Sequence, residues 1–145
     1  MGRKRLVTER RLIAIVDDEQ DITILFRDAL MTIKGIRVFT FTDPLLALEH
    51  FQMNEHAYVL VISDFRMPGL NGMELLRKMK ESNKVVRTIL MTAFALDDKF
   101  FKDYARREII NGYLQKPISL NDLRSEVIAQ LDAYELRKKK SKKSQ

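Results

Sequence analysis

The chain alternates short, continuously apolar runs with longer segments in which apolar residues recur every three or four positions. The short runs have the length of strands, and the longer segments have the period of helices that bury one face. The predicted strands cover residues 12–16, 36–41, 58–62, 87–91 and 112–114. Each is followed by a predicted helix, and parallel strands need a helix-sized return between them. The pattern predicts an α/β fold, a doubly wound five-stranded parallel sheet with helices on both faces.

Local signals indicate where several helices begin and end. Asp43 followed by Pro44 is typical of an N-cap and first turn, and Ser119 opens the fifth helix as the N-cap of a capping-box variant. The first helix should end near Gly35, and the fourth is expected over residues 96–107. The predicted apolar faces of helices one, two, four and five include Leu25, Leu45, Phe100 and Ile128.

Charge is unevenly distributed along the 145 residues. The whole chain carries +6, but residues 1–11 contribute +4 and residues 137–145 contribute +6, which leaves −4 for residues 12–136. We interpret residues 12–136 as one folded domain between a basic N-terminal arm and a basic tail that we expect to be disordered. A nucleic-acid-binding fold would carry its positive charge on a folded face. Contact of the tail with nucleic acid or an anionic membrane is therefore a secondary hypothesis.

The composition excludes several classes of protein. The sequence has no cysteine and two histidines, so a disulfide framework and a thiolate metal site are excluded and a histidine metal site is disfavoured. No segment approaches the roughly 20 apolar residues of a membrane helix, and no apolar segment follows the basic N-terminus as in a signal peptide. We expect a cytoplasmic protein.

Chemically distinctive residues follow four of the predicted strands. Asp17 and Asp18 follow the first strand and Asp64 ends the third. Thr92 follows the fourth and Lys116 the fifth. Because the carboxyl ends of parallel strands meet at one edge of a sheet, these side chains should converge. Three adjacent carboxylates repel one another unless a cation is present, and all-oxygen ligands favour Mg²⁺. With a lysine and a hydroxyl, the set has the groups needed to hold a phosphoryl group.

Four motifs at these strand ends resemble the receiver domain of two-component response regulators, including the single-domain, chemotaxis-regulator-like members. The motifs are Ile15-Val16-Asp17-Asp18-Glu19, Ser63-Asp64-Phe65-Arg66-Met67-Pro68-Gly69 with Gly72, Met91-Thr92-Ala93, and Gly112-Tyr113-Leu114-Gln115-Lys116-Pro117. Each motif alone is weakly specific, but their order and their positions at the correct strands are highly specific. The resemblance covers residues 12–134 and implies a flavodoxin-like (βα)5 receiver fold.

The resemblance also implies roles in phosphoryl transfer and switching. Asp64 would be the phosphoacceptor, attacking a phosphohistidine to form an acyl phosphate. Lys116 would pair with the phosphoryl oxygens, and the Thr92 hydroxyl would move to hydrogen-bond them. Tyr113 would follow Thr92 inward and reshape the surface formed by the fourth helix, the fifth strand and the fifth helix.

The same resemblance implies a metal site and one backbone feature. Asp18, Asp64 and the backbone carbonyl of Arg66 would bind Mg²⁺, and Asp17 would orient the waters of the metal. The peptide bond between Lys116 and Pro117 would be cis.

The expected function is a phosphorylation-driven switch in a two-component phosphorelay rather than a dedicated enzyme. The implied partners are a sensor histidine kinase or phosphotransfer protein and a downstream protein target, with a homodimer through the same surface as a further hypothesis. Three alternatives stay open. The chain could be a phosphate-independent pseudo-receiver or a receiver fragment of a longer regulator. A flavodoxin-type FMN carrier is disfavoured, because Asp17-Asp18-Glu19 would repel the FMN phosphate.

Two features depart from the receiver pattern. Ile109 and Ile110 stand near the end of the fourth helix, where many receivers have Gly-Ala, and β-branched residues rarely adopt the left-handed cap that glycine allows. Arg66 and Phe94, each two residues beyond a site residue, are bulky side chains that we expect to influence the lifetime of the phosphoryl group.

Overall fold

The computed structural model of the chain describes residues 11–93 and 99–143, with side chains up to residue 140. Within these residues, strands and helices alternate along the sequence. The strands are β1 (Leu12–Val16), β2 (Arg37–Phe41), β3 (Tyr58–Asp64), β4 (Arg87–Thr92) and β5 (Gly112–Gln115). The helices are α1 (Gln20–Leu30), α2 (Pro44–Met53), α3 (Gly72–Ser82), α4 (Lys99–Arg106) and α5 (Leu120–Lys143). Phe94 and the predicted start of the fourth helix lie outside the described residues.

The strands form one parallel sheet in the order β2-β1-β3-β4-β5. Each strand of the β1–β3 pair is fully buried, as expected for strands covered on both faces. One apolar layer packs α2, α3 and α4 on one face of the sheet. A second layer packs α1 and α5 on the other face. The predicted doubly wound, flavodoxin-like fold is confirmed.

The predicted helix starts are confirmed by their capping bonds. The side chain of Asp43 accepts a hydrogen bond from the Leu45 amide at 2.9 Å, with Pro44 at the first helical position. Ser119 Oγ accepts from the Asp122 amide at 3.0 Å. These bonds satisfy amide groups that the helix itself leaves without a partner, which explains why the chain turns into a helix at these residues.

Four residues predicted on buried helix faces are exposed. Leu25, Leu45, Phe100 and Ile128 have exposed fractions of 48%, 59%, 49% and 41%. A helix lying on a sheet buries only one side of its surface. Apolar residues at the margins of its apolar face therefore stay exposed. In α1, for example, the buried positions are Thr23, Phe26 and Leu30, and the Thr23 hydroxyl is satisfied by the Gln20 carbonyl at 2.7 Å.

The tail from residue 137 was predicted to be disordered, but α5 continues as a helix to Lys143. The extension contains Arg and Lys, which have favourable helix propensity, and no Gly or Pro that would end the helix. Among the described residues, no helix is both long enough and apolar enough to span a membrane. Of the predicted basic arm, residues 1–10 lie outside the description, and Arg11 pairs with Glu135 at 3.6 Å.

The end of α4 avoids the conflict predicted at Ile109 and Ile110. Glu108, not either isoleucine, has the left-handed conformation, with φ +60°. Its amide donates to the Ala105 carbonyl at 3.0 Å, and the Ile109 amide donates to the Tyr104 carbonyl at 3.0 Å. This pair of bonds is the Schellman pattern, which usually has glycine in the left-handed position. The backbone strain is therefore borne by Glu108.

Candidate functional site

The carboxylates predicted to converge do so at the carboxyl-terminal edge of the sheet. Asp17 and Asp18 follow β1, and Asp64 is the last residue of β3. One carboxylate oxygen from each lies within 4.8 Å of the other two. Asp17 and Asp64 are buried, whereas Asp18 is exposed. The adjacent positions of β1 and β3 in the sheet therefore bring together residues almost fifty positions apart in the sequence.

Asp17 has an incompletely satisfied carboxylate. Its Oδ1 accepts a hydrogen bond from the Glu19 amide at 2.9 Å. Its Oδ2 is buried and has no hydrogen-bond partner among the described residues. Burial raises the pKa of Asp17 from 3.8 to about 6, and the carboxylate of Asp64 adds to the rise, whereas the Glu19 amide and Lys116 oppose it. This buried oxygen without a hydrogen bond marks a point where a cation would be stabilised.

Lys116 supplies the positive charge next to these carboxylates. Its Nζ lies 2.7 Å from Asp64 Oδ1 and 3.9 Å from Asp17 Oδ2. Burial opposes the charged form, but the hydrogen bond to Asp64 and the attraction to both carboxylates outweigh it, so the pKa of Lys116 is raised. The residue follows the edge strand β5, and its amide donates to the Thr92 carbonyl at 2.8 Å. The peptide bond to Pro117 is cis, as predicted.

A cavity of about 490 Å³ opens beside the ion pair. It is lined by Asp64, Lys116, Thr92 and Arg66, together with two neighbours of these residues. Thr92 is buried at the end of β4, and Arg66 is exposed in the loop after β3. The structure thus brings both to the predicted site; the Arg66 carbonyl as a metal ligand stays a prediction.

Tyr113, the predicted switch residue, is half-buried on β5 and bound to α4. Its hydroxyl donates to the backbone carbonyl of Phe101, and the two ring centroids lie 5.8 Å apart. Burial raises the pKa of Tyr113 to about 12. Phe101 also meets the ring of Phe65, the residue after Asp64, at 5.6 Å between centroids. This connection from Asp64 to α4 was missed in the sequence, because helix periodicity indicates burial but not which strand residue a side chain meets.

The family model for the response regulator receiver domain matches residues 13–128. The chain belongs to this family. The matched residues include four of the strands in full, all of β1 except Leu12, and every site residue described above. The predicted family, receiver domain of two-component response regulators, is therefore confirmed.

Curated relatives of this receiver domain differ greatly in length. It is 29% identical over 115 residues to sporulation initiation phosphotransferase F of Bacillus subtilis, covering 79% of this chain and 89% of that protein. It is 31% identical over 115 residues to the sensor histidine kinase TmoS of Ectopseudomonas mendocina, with 79% of this chain but only 11% of that protein covered. The receiver therefore resembles both a nearly equal-length protein and a small part of a much longer one.

Solved structures show the same fold. A response regulator receiver domain from Clostridium thermocellum superposes with a TM-score of 0.75 at 28% identity, covering 87% of this chain and 98% of that one. A CheY-like receiver from Methanospirillum hungatei gives a TM-score of 0.75 at 24% identity, covering 88% and 98%. The second likeness shows the fold alone.

The residues of this receiver fit a divalent cation. The donor set is three carboxylates with mutually close oxygens, which are hard ligands suited to Mg²⁺. The buried Asp17 Oδ2 has no hydrogen-bond partner in the described part of the chain. A bound cation would satisfy that oxygen through one of its waters and would reduce the repulsion among the carboxylates.

Proposed function

We propose that this receiver is a phosphorylation-activated switch of a two-component phosphorelay, with Asp64 as the phosphoacceptor. The observation that supports it most directly is the 2.7 Å contact between Lys116 Nζ and Asp64 Oδ1 at the wall of an open cavity. A carboxylate held at a sheet edge, next to a cation and open space, can meet an incoming phosphoryl group. The name of the phosphotransferase relative supports the same class of reaction.

In the proposed reaction, a carboxylate oxygen of Asp64 attacks the phosphorus of a phosphohistidine. A P–O bond forms while the P–N bond breaks, and the imidazole nitrogen keeps the electron pair of the broken bond. The Lys116 ammonium pairs with the Asp64 carboxylate before the transfer and with the phosphoryl oxygens after it. Its side chain already contacts Asp64, so little movement is needed.

We propose that Asp18, Asp64 and the Arg66 carbonyl hold Mg²⁺, with Asp17 orienting its waters. When bound, Mg²⁺ supplies positive charge beside the phosphoryl oxygens. Asp17 holds its own position through the Glu19 amide, so its second oxygen stays directed into the carboxylate cluster. The position of Asp17 is thus supported by a hydrogen bond that does not depend on a cation.

The proposed output is a change in the surface formed by α4, β5 and α5. Phosphorylation would draw the Thr92 hydroxyl toward the phosphoryl group. Tyr113 would then leave its bond to the Phe101 carbonyl and turn toward the space next to Thr92. The Phe101 ring also contacts Phe65, the residue after Asp64. Phe65 and Tyr113 therefore both contact the same residue of α4.

We infer partners from this reaction. A sensor histidine kinase or phosphotransfer protein would supply the phosphoryl group, and a downstream protein, or a second copy of the chain, would read the changed surface. The output would be contact rather than turnover of a separate substrate. Cytoplasmic location stays part of the proposal, because the chain has no cysteine that an oxidising compartment would pair.

The test is intact mass after incubation with Mg²⁺ and acetyl phosphate. We expect the mass of one phosphoryl group to be added, and to be absent in Asp64→Asn and in the presence of chelator. Asp21→Asn is the matched control, since Asp21 is an exposed carboxylate in the first turn of α1 and is not part of the cluster.

Phosphorylation that persists in Asp64→Asn would overturn the assignment of Asp64. Absence of phosphorylation in the wild type, combined with absence of Mg²⁺ binding by calorimetry, would favour the phosphate-independent pseudo-receiver.

A further inference from the structure

A second polar cavity lies at the opposite edge of the sheet from Asp64. Its volume is about 390 Å³, and its walls come from the last turns of α3, the α4–β5 connection and the extended part of α5. These segments are at the amino-terminal ends of β4 and β5. The cavity is therefore separate from the proposed phosphorylation site.

The walls of this cavity, which we name the basic cavity, carry more positive than negative charge. Its cationic residues are Arg77, Lys80, Lys84, Arg107 and Arg137, against Glu81 and Glu108. Arg77 is neutralised by two glutamates, at 2.8 Å and 2.7 Å. Two other cations of the cavity have longer ion pairs, 3.7 Å for Arg107 with Asp103 and 3.8 Å for Arg137 with Glu108.

Lys80 is the residue that points to a ligand. It has an exposed fraction of only 9% and lines the basic cavity. Among the described residues, no carboxylate forms a salt bridge with its ammonium and no hydrogen bond is made by it. Burial lowers the pKa of Lys80, the charges of Arg87 and Arg137 lower it further, and Glu108 opposes these effects. The Lys80 side chain is largely buried and no carboxylate of the described residues contacts it, so its charged form is costly, and an anion in the cavity would offset that cost.

We propose that the basic cavity binds a small anion that carries at least two phosphoryl groups, held by Lys80, Lys84, Arg107 and Arg137. Lysine contacts a phosphate as a point charge, and arginine can donate two parallel hydrogen bonds to its oxygens. The five cations and two glutamates of the lining leave a net charge of +3, which favours an anion with more than one phosphoryl group.

The concave shape favours a compact anion over nucleic acid. A polymer would be bound by an exposed basic face, and the exposed cations of α5 beyond Arg137 lie outside the cavity lining. Lys80, by contrast, lines the cavity and is only 9% exposed. The same chemistry could come from a free molecule or from the headgroup of a phosphorylated lipid.

The test is calorimetric titration of the full chain with pyrophosphate, at fixed ionic strength and with chelator present. We expect saturable binding that weakens about 10- to 100-fold in Lys80→Met, because a charged hydrogen bond is lost. Lys78→Met is the matched control, since Lys78 is exposed on the same helix and outside the cavity lining. Its affinity for pyrophosphate should equal that of the wild type.

A second measurement uses the wild-type chain and so does not depend on the Lys80→Met variant. Pyrophosphate should slow acylation of Lys80, relative to Lys78, by an amine-reactive ester, as read by peptide mass spectrometry. In a separate experiment, binding to vesicles that contain a bisphosphorylated inositol lipid is measured. Binding to these vesicles without binding to pyrophosphate would assign the anion to a membrane headgroup.

Three results would overturn the proposal. Equal affinity in Lys80→Met and wild type would exclude Lys80. Loss of binding in Lys116→Met would assign pyrophosphate to the cavity at Asp64. Binding to duplex DNA through Lys80, without binding to either phosphate probe, would identify a nucleic-acid surface. None of these results bears on phosphorylation of Asp64.

Discussion

Gly72 packs directly against the backbone of Asp64. A Cβ atom added to Gly72 would overlap the Asp64 carbonyl oxygen, and would lie 2.9 Å from its carbonyl carbon and 3.0 Å from Ser63 Oγ. The Gly72 amide also donates to the Phe65 carbonyl at 2.8 Å. The first residue of α3 is therefore packed against the end of β3, and any side chain there must shift the start of α3 relative to the proposed phosphoacceptor.

Gly72→Ala is expected to lower the free energy of unfolding by about 1–3 kcal/mol, because the methyl group overpacks against backbone atoms. The rate of phosphorylation by acetyl phosphate should fall on the order of 100-fold, because Asp64 moves. Urea unfolding and timed intact mass measure the two effects. Lys78→Ala, on the exposed face of the same helix, should change neither; a wild-type rate in Gly72→Ala would show that β3 tolerates the displacement.

Asp17→Asn is expected to stabilise the protein in chelator at pH 7 while weakening Mg²⁺ binding. The raised pKa means that the ionised carboxylate is disfavoured in the folded state, at a cost of about 2–3 kcal/mol above pH 6. The folded state binds more protons than the unfolded state between pH 4 and 6, so wild-type stability should fall as pH rises through this range. Unfolding midpoints with chelator from pH 4 to 8 measure this, and a flat wild-type profile would contradict it.

Glu108→Gly should be more stable than Glu108→Ala by about 1 kcal/mol, because only glycine adopts the left-handed conformation without a Cβ clash. Both variants remove the charge and the long contact with Arg137, so their difference isolates the backbone. Thermal unfolding of the pair measures it. Equal stability would mean that the α4 cap does not store strain.

Lys80→Met is expected to raise the free energy of unfolding at pH 7 by about 2–3 kcal/mol in buffer without multivalent anions. Burial, with repulsion from Arg87 and Arg137, lowers the pKa of Lys80 from 10.5 to about 8. The unfolded state therefore binds more protons between pH 8 and 10.5, and wild-type stability should rise across that interval. The advantage of the variant should shrink over the same range. An advantage independent of pH would mean that packing, not charge, is responsible.

The sequence predicts the sheet and the proposed site well because both follow from local signals. Continuous apolar runs identify buried strands, and residues at their carboxyl ends must meet at one edge. Asp17, Asp64 and Lys116 therefore come together as predicted. Each of these inferences needs only the succession of strands along the chain and the period of its apolar residues.

Features that depend on contacts between elements could not be predicted in this way. Gly72 was part of a recognised motif, but its contact with Asp64 depends on how α3 enters the sheet edge. The exposure of Leu25 and Phe100 depends on helix rotation, which apolar spacing leaves undetermined. The cavity beside Lys80 is formed with α5 and the α4–β5 connection, which are distant in sequence.

Among the residues that the structure describes, β5 is the last strand of the sheet and pairs only with β4. Lys116 extends from its end across β4 to Asp64, so an ion pair joins two strands that share no backbone hydrogen bond. Solvent exchange of the β5 amides should therefore depend on the charge carried by Asp64. Deuterium uptake by the β5 amides should therefore report the phosphorylation state of Asp64, two strands away, without a label at the site.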